Sequence, residues 1–332
     1  MTPTKRRSWR AFKAELIAVF AAAMRVGVTG ITSDLGRGLL PLLEADPCVE
    51  QIVAFDVAEL PVGFCKLSAV NVDLTRPGIE DELTGAMREA SLDALYHLAF
   101  VNSRVHGPAF AHELEVIGSM HVLAAAQATG LRRLVVPSWT ALYGARPNAP
   151  ARFTEDHPLL GAGVRFVIDR VEVERQVQAF AQRNPQTHVV VLRFAPIVGP
   201  TADNPVTRLL RTRIIPTVLG FDPLWQVIDE RDAARALHLA ATSGARGAFN
   251  VVSEGAMPFS VLVRLSGGRT LPLPGPVLRS TIALLEATGV ASVPVPLLDY
   301  LKYSWLADGS RATKELRFTS SIPPEAALSS LR

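Results

Sequence analysis

The segment Arg25-Val26-Gly27-Val28-Thr29-Gly30-Ile31-Thr32-Ser33-Asp34-Leu35-Gly36 carries the clearest chemistry in the chain. A short apolar run ends in a glycine-rich turn, and a helix-forming sequence follows at once. Gly30 suits the tight turn, and Gly36 suits close packing of helix on strand. The amides of the first helical turn, around Ser33, Asp34 and Leu35, offer donors and a positive dipole end to phosphate. A second apolar run, Gln51 to Phe55, ends in Asp56, twenty residues beyond Gly36. That is the offset at which a carboxylate accepts hydrogen bonds from an adenosine ribose. Strand, turn, helix, strand and acid in this order imply a dinucleotide site. Asp56 repels a 2′-phosphate, so NAD is expected over NADP, with Arg37 as the nearby opposing charge. The plainer alternative is a strand-to-helix turn beside a solvated strand end.

The elements around this loop alternate. Short, mostly apolar runs at 25–29, 51–55, 68–72, 93–98, 132–137 and 187–192 have the character of strands buried on both faces. Longer helical patterns lie between them. Over 163–181, Val164, Val167, Ile168, Val171, Val177 and Phe180 recur near a 3.6 period while Arg170, Glu172 and Glu174 are polar. Another helix is predicted over about 112–129, stopped by Gly130. Such alternation predicts an α/β fold with a doubly wound parallel sheet. After Pro200 the rhythm is broken by prolines, returns to strand, helix and strand near 225–252, and passes through a rigid loop at Leu271-Pro272-Leu273-Pro274-Gly275-Pro276. The expected organisation is an extension at 1–23, a nucleotide-binding domain at 24–200 plus 225–252, and a smaller substrate-side lobe at 201–224 plus 253–332.

Composition narrows the function classes. The 332 residues are 48% hydrophobic and 20% charged, the balance of a chain that builds a core and not of a disordered one. Residues 1–23 hold five basic groups and one acid, so the other 309 carry 29 basic and 30 acidic groups. The pI near 9.1 therefore belongs to the leader, and no basic groove for nucleic acid is expected. The leader's apolar stretch, Leu16 to Met24, is too short to span a bilayer. It reads as an unstructured extension or misplaced start, as an amphipathic surface helix, or as an export signal, in that order. Cys48 and Cys65 match neither a disulfide framework nor a zinc spacing, and the histidines include no pair at metal-ligand spacing. No metal site is expected, and the cytoplasm is the expected compartment.

Beyond the loop, the sequence resembles the extended short-chain dehydrogenase/reductases, specifically the NAD-dependent epimerase/dehydratase family. Thr29-Gly30 through Gly36 is similar to that family's TGxxGxxG, with Ser33 at the middle glycine. Asp73-Leu74 matches the position that touches adenine, and His97-Leu98-Ala99, followed by Phe100, resembles the HLA that ends the fourth strand beside the cofactor. Tyr143-Gly144, Leu192 to Pro200, Asp232 and Phe249-Asn250-Val251 fit later landmarks, and the likeness runs from about residue 25 to 320. It implies a Rossmann-type fold, bound NAD, a small-molecule substrate, and a homodimer formed through the helices at 112–129 and 163–181.

The resemblance breaks at the chemistry. Members of the family work through a serine or threonine, a tyrosine and a lysine, and these positions fall on Trp139, Phe166 and Arg170, in a register fixed by Glu174. Phenylalanine has no proton to give, so the general acid/base is missing. Arg170 can still offer charge and donors to a ribose but has no phenol to tune, and as an ordinary helix residue it would salt-bridge Glu174. Trp139 removes the hydroxyl that orients a substrate carbonyl, although Ser138 and Thr140 flank it. Tyr143 is the nearest replacement phenol, and Asp156, His157 and Asp169 are nearby titratable groups. Two functions follow: a dinucleotide-binding protein that has lost the relay and serves as a ligand-binding or sensor protein, or an active oxidoreductase, epimerase or dehydratase with a non-standard acid/base. Arg208, Arg211 and Arg213 are either an anion site on the substrate side or a solvated face, and the apolar stretch Leu297 to Leu306 is expected to pack inside the lobe.

Overall fold

The computed structural model describes residues 23–100, 107–161, 163–287 and 295–332; the leader to residue 22 lies outside them. Seven strands form one parallel sheet: β1 (Met24–Thr29), β2 (Val49–Asp56), β3 (Leu67–Asn71), β4 (Ala94–His97), β5 (Arg133–Trp139), β6 (His188–Phe194) and, late in the chain, β11 (Gly247–Val251). Their spatial order is β3-β2-β1-β4-β5-β6-β11. The chain winds outward in one direction from β1 to β3, then crosses back to place β4 on the other side of β1. Crevices for ligands form where such an order reverses, here between the ends of β1 and β4. At that point Thr29 is paired with Phe55 on one side and with His97 on the other.

Helices cover both faces of the sheet, as buried parallel strands require. On one face, α1 (Asp34–Ala45) buries Leu39, Leu40 and Leu43 against the sheet beside Ala233, Ala236 and Leu237 of α7 (Glu230–Thr242). On the other, Leu83 and Met87 of α2 (Ile79–Glu89), Val122 and Ala126 of α4 (Gly118–Thr129) and Val173, Val177 and Phe180 of α5 (Arg165–Arg183) share one buried cluster, with α4 packed between its two neighbours. The helix expected over 112–129 is present, begins a few residues earlier, and is not α-helical throughout. It begins as the short α3 (Pro108–His112), passes through a π-helical turn at Glu113–Ile117 and only then becomes α4, which ends at Gly130 with φ +64°. A π turn inserts one extra residue per turn and re-aims the side chains on it.

Three two-stranded pairs lie outside the large sheet: β7 (Ile197–Val198) with β10 (Ile228–Asp229), β8 (Ile214–Val218) with β13 (Arg269–Leu273), and β9 (Leu224–Trp225) with β12 (Met257–Pro258). Residues 271–273, expected as loop, are therefore strand. Pro272 is tolerated because a two-stranded pair has open edges where a missing N–H costs no ladder bond. After Pro274 the chain enters α9 (Gly275–Ala287). These segments share a third core with the loop after β5, in which Tyr143 and Phe153 pack with Trp225, Phe259, Tyr300 and Trp305. The chain's last stretch returns to the first core through Ala312, Leu316 and Phe318.

Candidate functional site

The glycine loop is built as its sequence demands. Gly30 has φ +67°, and a Cβ there would lie 2.6 Å from the Ala99 Cα, so only glycine lets the ends of β1 and β4 approach. At Gly36 a Cβ would sit 2.3 Å from the Ile31 carbonyl oxygen. Ser33 caps α1, its Oγ accepting from the Gly36 amide at 3.2 Å. The amides of Asp34 and Leu35 belong to the first helical turn, where no intrahelical acceptor exists. Both residues line a cavity of about 370 Å³, so these donors border open space, as a pyrophosphate site requires. The Asp34 carboxylate would oppose an anion, but Arg37 pairs with it at 2.6 Å and the Asp203 amide donates to it at 2.8 Å.

Asp56 stands at the end of β2 and holds the loop: its Oδ2 accepts from the Thr32 amide at 3.1 Å and the Thr32 hydroxyl at 2.9 Å, and its Oδ1 from the Ala58 amide. Oδ2 is thereby filled, and Oδ1 keeps one further lone pair for a ribose hydroxyl. Asp73 is exposed and accepts from the Thr75 amide and hydroxyl, whereas Leu74 is buried against Gly118. Among the sequence candidates, Ser33, Asp34, Leu35, Leu98, Phe100, Trp139, Phe166 and Arg170 line the cavity. Gly30, Gly36, Asp56, Asp73, Leu74, Ala99 and Tyr143 lie behind or outside its wall.

At the three positions where the resemblance expects a relay, the geometry is specific. Arg170 is buried, its guanidinium carbon 3.9 Å from the centre of the Phe100 ring and 4.4 Å from that of Trp139. Its charge is met by Glu115, with Nε 2.8 Å from Oε2 and Nη2 3.1 Å from Oε1. Burial lowers the guanidinium pKa, and Glu115 opposes the shift. The expected partner, Glu174, is engaged elsewhere: it pairs with Arg193 and accepts from the Ser138 hydroxyl at 2.6 Å. Glu115 lies on the π turn, which gives that turn its purpose. Sequence reasoning missed it; the only signal was a glutamate in an otherwise helical, half-apolar run. Phe166 meets Trp139 edge to face, ring centres 6.2 Å apart.

The same turn fixes His97. Ser119 donates its hydroxyl proton to the Glu115 carbonyl, so its oxygen must accept from His97 Nε2, 2.9 Å away. His97 Nδ1 then accepts from the Thr29 hydroxyl at 2.8 Å. Burial, with the Arg170 charge adding to it, pulls this imidazole down to about 3. It is a neutral brace between β1, β4 and α4, not a proton carrier near neutral pH.

Tyr143, the candidate replacement phenol, turns the other way. Its hydroxyl donates to Asn250 Oδ1 at 2.8 Å and accepts from Arg193 Nη1 at 2.7 Å, stacked under Phe153 and fully buried. Burial pushes it up to about 12. His157 is bonded to Thr154, Asp169 to Arg165 and His112, and none of these lines the cavity; exposed Asp156 does not either. Arg208 pairs with Asp203 at 2.6 Å, Arg211 donates to the Pro200 carbonyl, and neither they nor exposed Arg213 reaches the wall. Within the 297–306 stretch, Leu297, Tyr300, Leu301 and Trp305 do line it. Among the described residues no three His, Cys, Asp or Glu side chains are grouped to hold a metal, and no helix is long and apolar enough to cross a membrane.

A family model described as the NAD dependent epimerase/dehydratase family matches residues 26–252. The chain belongs to that family. An uncharacterized protein of Mycobacterium tuberculosis is 30% identical over 299 residues, covering 88% of this chain and 78% of the relative. The UDP-glucose 4-epimerase of Thermotoga maritima, solved with UDP-glucose, superposes with TM-score 0.70 at 19% identity, over 93% of this chain and 97% of the enzyme. A dTDP-glucose 4,6-dehydratase of Bacillus anthracis, solved with NAD, gives 0.70 at 14% identity over 93% and 95%. At such identities the structural likeness speaks for the Rossmann-type fold.

Proposed function

We propose that the protein binds NAD in the crevice between β1 and β4 and holds a second small ligand beside it, without the family's proton relay. The observation that carries this reading is the wall at the relay positions. A phenyl ring, an indole and a guanidinium locked to Glu115 stand where a phenol, a hydroxyl and an amine would have to act. None of them exchanges a proton near neutral pH. The fit to the cofactor rests on the α1 amides for the pyrophosphate, Asp56 for the adenosine ribose, and Leu98, Ala99 and Phe100 along the strand end. When bound, NAD supplies a hydride acceptor; this chain binds and orients it. Arg170, held by Glu115 and two rings, stands in the cleft wall as a charge already paired. Exposed Met120 on α4 and Ile168 on α5 favour pairing of two copies through these helices.

Calorimetry tests the cofactor reading. Wild type should bind NAD more tightly than NADP, and Asp56→Ala should weaken NAD by about tenfold while affecting NADP less. Absence of binding by either cofactor at millimolar concentration would reduce the loop to a turn. Incubation with NAD and a panel of sugar nucleotides, alcohols and steroids should give no hydride transfer, and robust turnover would refute the loss of the relay.

A further inference from the structure

We propose that the part of the cavity farthest from the glycine loop takes an uncharged, mostly hydrocarbon ring system, not a sugar nucleotide. This rests on the reading of the cleft as a ligand site but names the chemistry of the second ligand. The wall there is aliphatic and aromatic, with Leu209, Ile282 and Leu301 set among the rings of Trp139, Trp225 and Trp305. The volume of about 370 Å³ falls in the range of roughly 300–1,000 Å³ typical of small-molecule sites.

The polar atoms in that wall are committed to the protein itself. Asn204 Oδ1 accepts from the amides of Val206 and Thr207, and its Nδ2 donates to the Ile197 carbonyl. The Tyr300 hydroxyl donates to the Ala141 carbonyl at 2.6 Å, and the Trp225 indole N–H donates to the Tyr300 carbonyl at 2.9 Å. Arg170 is the one cation in the wall among the described residues, and Glu115 neutralises it. A diphosphate moved here from water would lose its hydration and meet no free positive charge, which is prohibitive for a buried anion. A hydrocarbon gains from the same wall by leaving water.

One polar atom stands apart. Trp305 is only 5% exposed, and its indole Nε1 has no acceptor among the described residues. Closed off from the cavity as from solvent, this donor sets no requirement on a ligand and leaves the apolar wall to select it.

Three of the chain's four tryptophans line the cavity, so their fluorescence reports occupancy directly. Titration of the full chain with progesterone, an uncharged ring ketone, should saturate at micromolar concentration, and UDP-glucose should leave the signal unchanged into the millimolar range. Leu301→Arg, which places a charge in the wall, should lower progesterone affinity at least tenfold while NAD binding by calorimetry stays as in wild type. Phenanthrene, which carries no hydrogen-bonding group, should saturate the signal as well. Saturation by UDP-glucose at micromolar concentration, failure of progesterone to bind, or progesterone binding indifferent to Leu301→Arg would each overturn the proposal. The other reading fails separately: turnover of bound progesterone would refute the lost relay and leave the ligand class standing, and absent NAD binding would refute only the cofactor assignment.

Discussion

The two ends of the cleft differ in what carries their chemistry. At the glycine loop the groups proposed to bind are main-chain amides, and side chains mostly shape the backbone: Gly30 by having none, Ser33 by capping, Asp56 by holding Thr32. At the positions where the resemblance expects a relay of side-chain atoms, the structure holds Trp139, Phe166 and Arg170. The fold is indifferent to that difference. Ser138, Glu174, Arg193, Tyr143 and Asn250 form a continuous buried hydrogen-bonded chain that joins β5, α5, β6 and β11 behind the relay without using any relay residue. Backbone-borne recognition is tied to the architecture, whereas side-chain chemistry can be removed from it one atom at a time.

The largest effect should come from breaking the chain behind the relay. Arg193 is buried and serves Glu174, the Tyr143 hydroxyl and the Glu155 carbonyl at once. Arg193→Ala leaves the Glu174 carboxylate buried without its cation, at a cost of about 3–5 kcal/mol in urea unfolding. Glu115→Gln, at the relay pair, should cost less, because Arg170 keeps its two ring contacts and a neutral acceptor. Equal losses would show that the two pairs are structurally equivalent and that the comparison fails.

Next is the loop. Gly30→Ala forces a Cβ into the left-handed region and against the Ala99 backbone. We expect about 2–3 kcal/mol of destabilisation from strain of this kind. NAD affinity should fall out of proportion to stability, because the displaced strand end carries Leu98 and Phe100 into the cleft wall. Calorimetry beside thermal unfolding separates the two losses.

A pH test addresses the brace between the ends. Unfolded histidine titrates near 6.5, while folded His97 resists protonation until about 3. Between these values the unfolded chain binds the extra proton. The contribution to stability is therefore complete above pH 6.5 and declines as pH falls, by up to about 1.4 kcal/mol per pH unit. His97→Gln should flatten the fall in Tm between pH 6.5 and 4.5 relative to wild type. Parallel curves would mean that His97 is not the group responsible.

The sequence made the sheet legible because buried parallel strands are short apolar runs whatever their neighbours, and each of the six expected runs lies on an observed strand. The glycine loop was legible for a related reason, since φ +67° and a 2.3 Å approach admit few residue types. The residue types at Trp139, Phe166 and Arg170 were legible in the sequence, but the contacts Arg170 makes were not. Its partner, Glu115, lies fifty-five positions away on a π turn, and neither periodicity nor i,i+4 spacing predicts a contact made by a local irregularity. The apolar character of the cavity was hidden likewise. Leu209, Trp225, Ile282 and Leu301 come from four separate segments, each of which alone reads as ordinary packing.

The smallest expected effect is the most discriminating. Phe166→Tyr adds one hydroxyl to a half-buried ring that already lines the cavity, so stability should change by no more than about 0.5 kcal/mol and NAD affinity should hold. It returns the phenol alone. A phenol near its ordinary pKa of about 10 is a poor base at neutral pH, and the amine that lowers it in the family is replaced by a guanidinium already paired with Glu115. Members of one relay fail together, so a single restoration recovers little. Phe166→Tyr with Arg170→Lys and Trp139→Ser should be needed before hydride transfer to a bound ligand becomes measurable. If Phe166→Tyr alone raised that rate by about 10² or more, the size of a positioned acid/base contribution, then Arg170 would already be doing the lysine's work, and the relay end would differ from the cofactor end by one missing oxygen atom and not by a dismantled site.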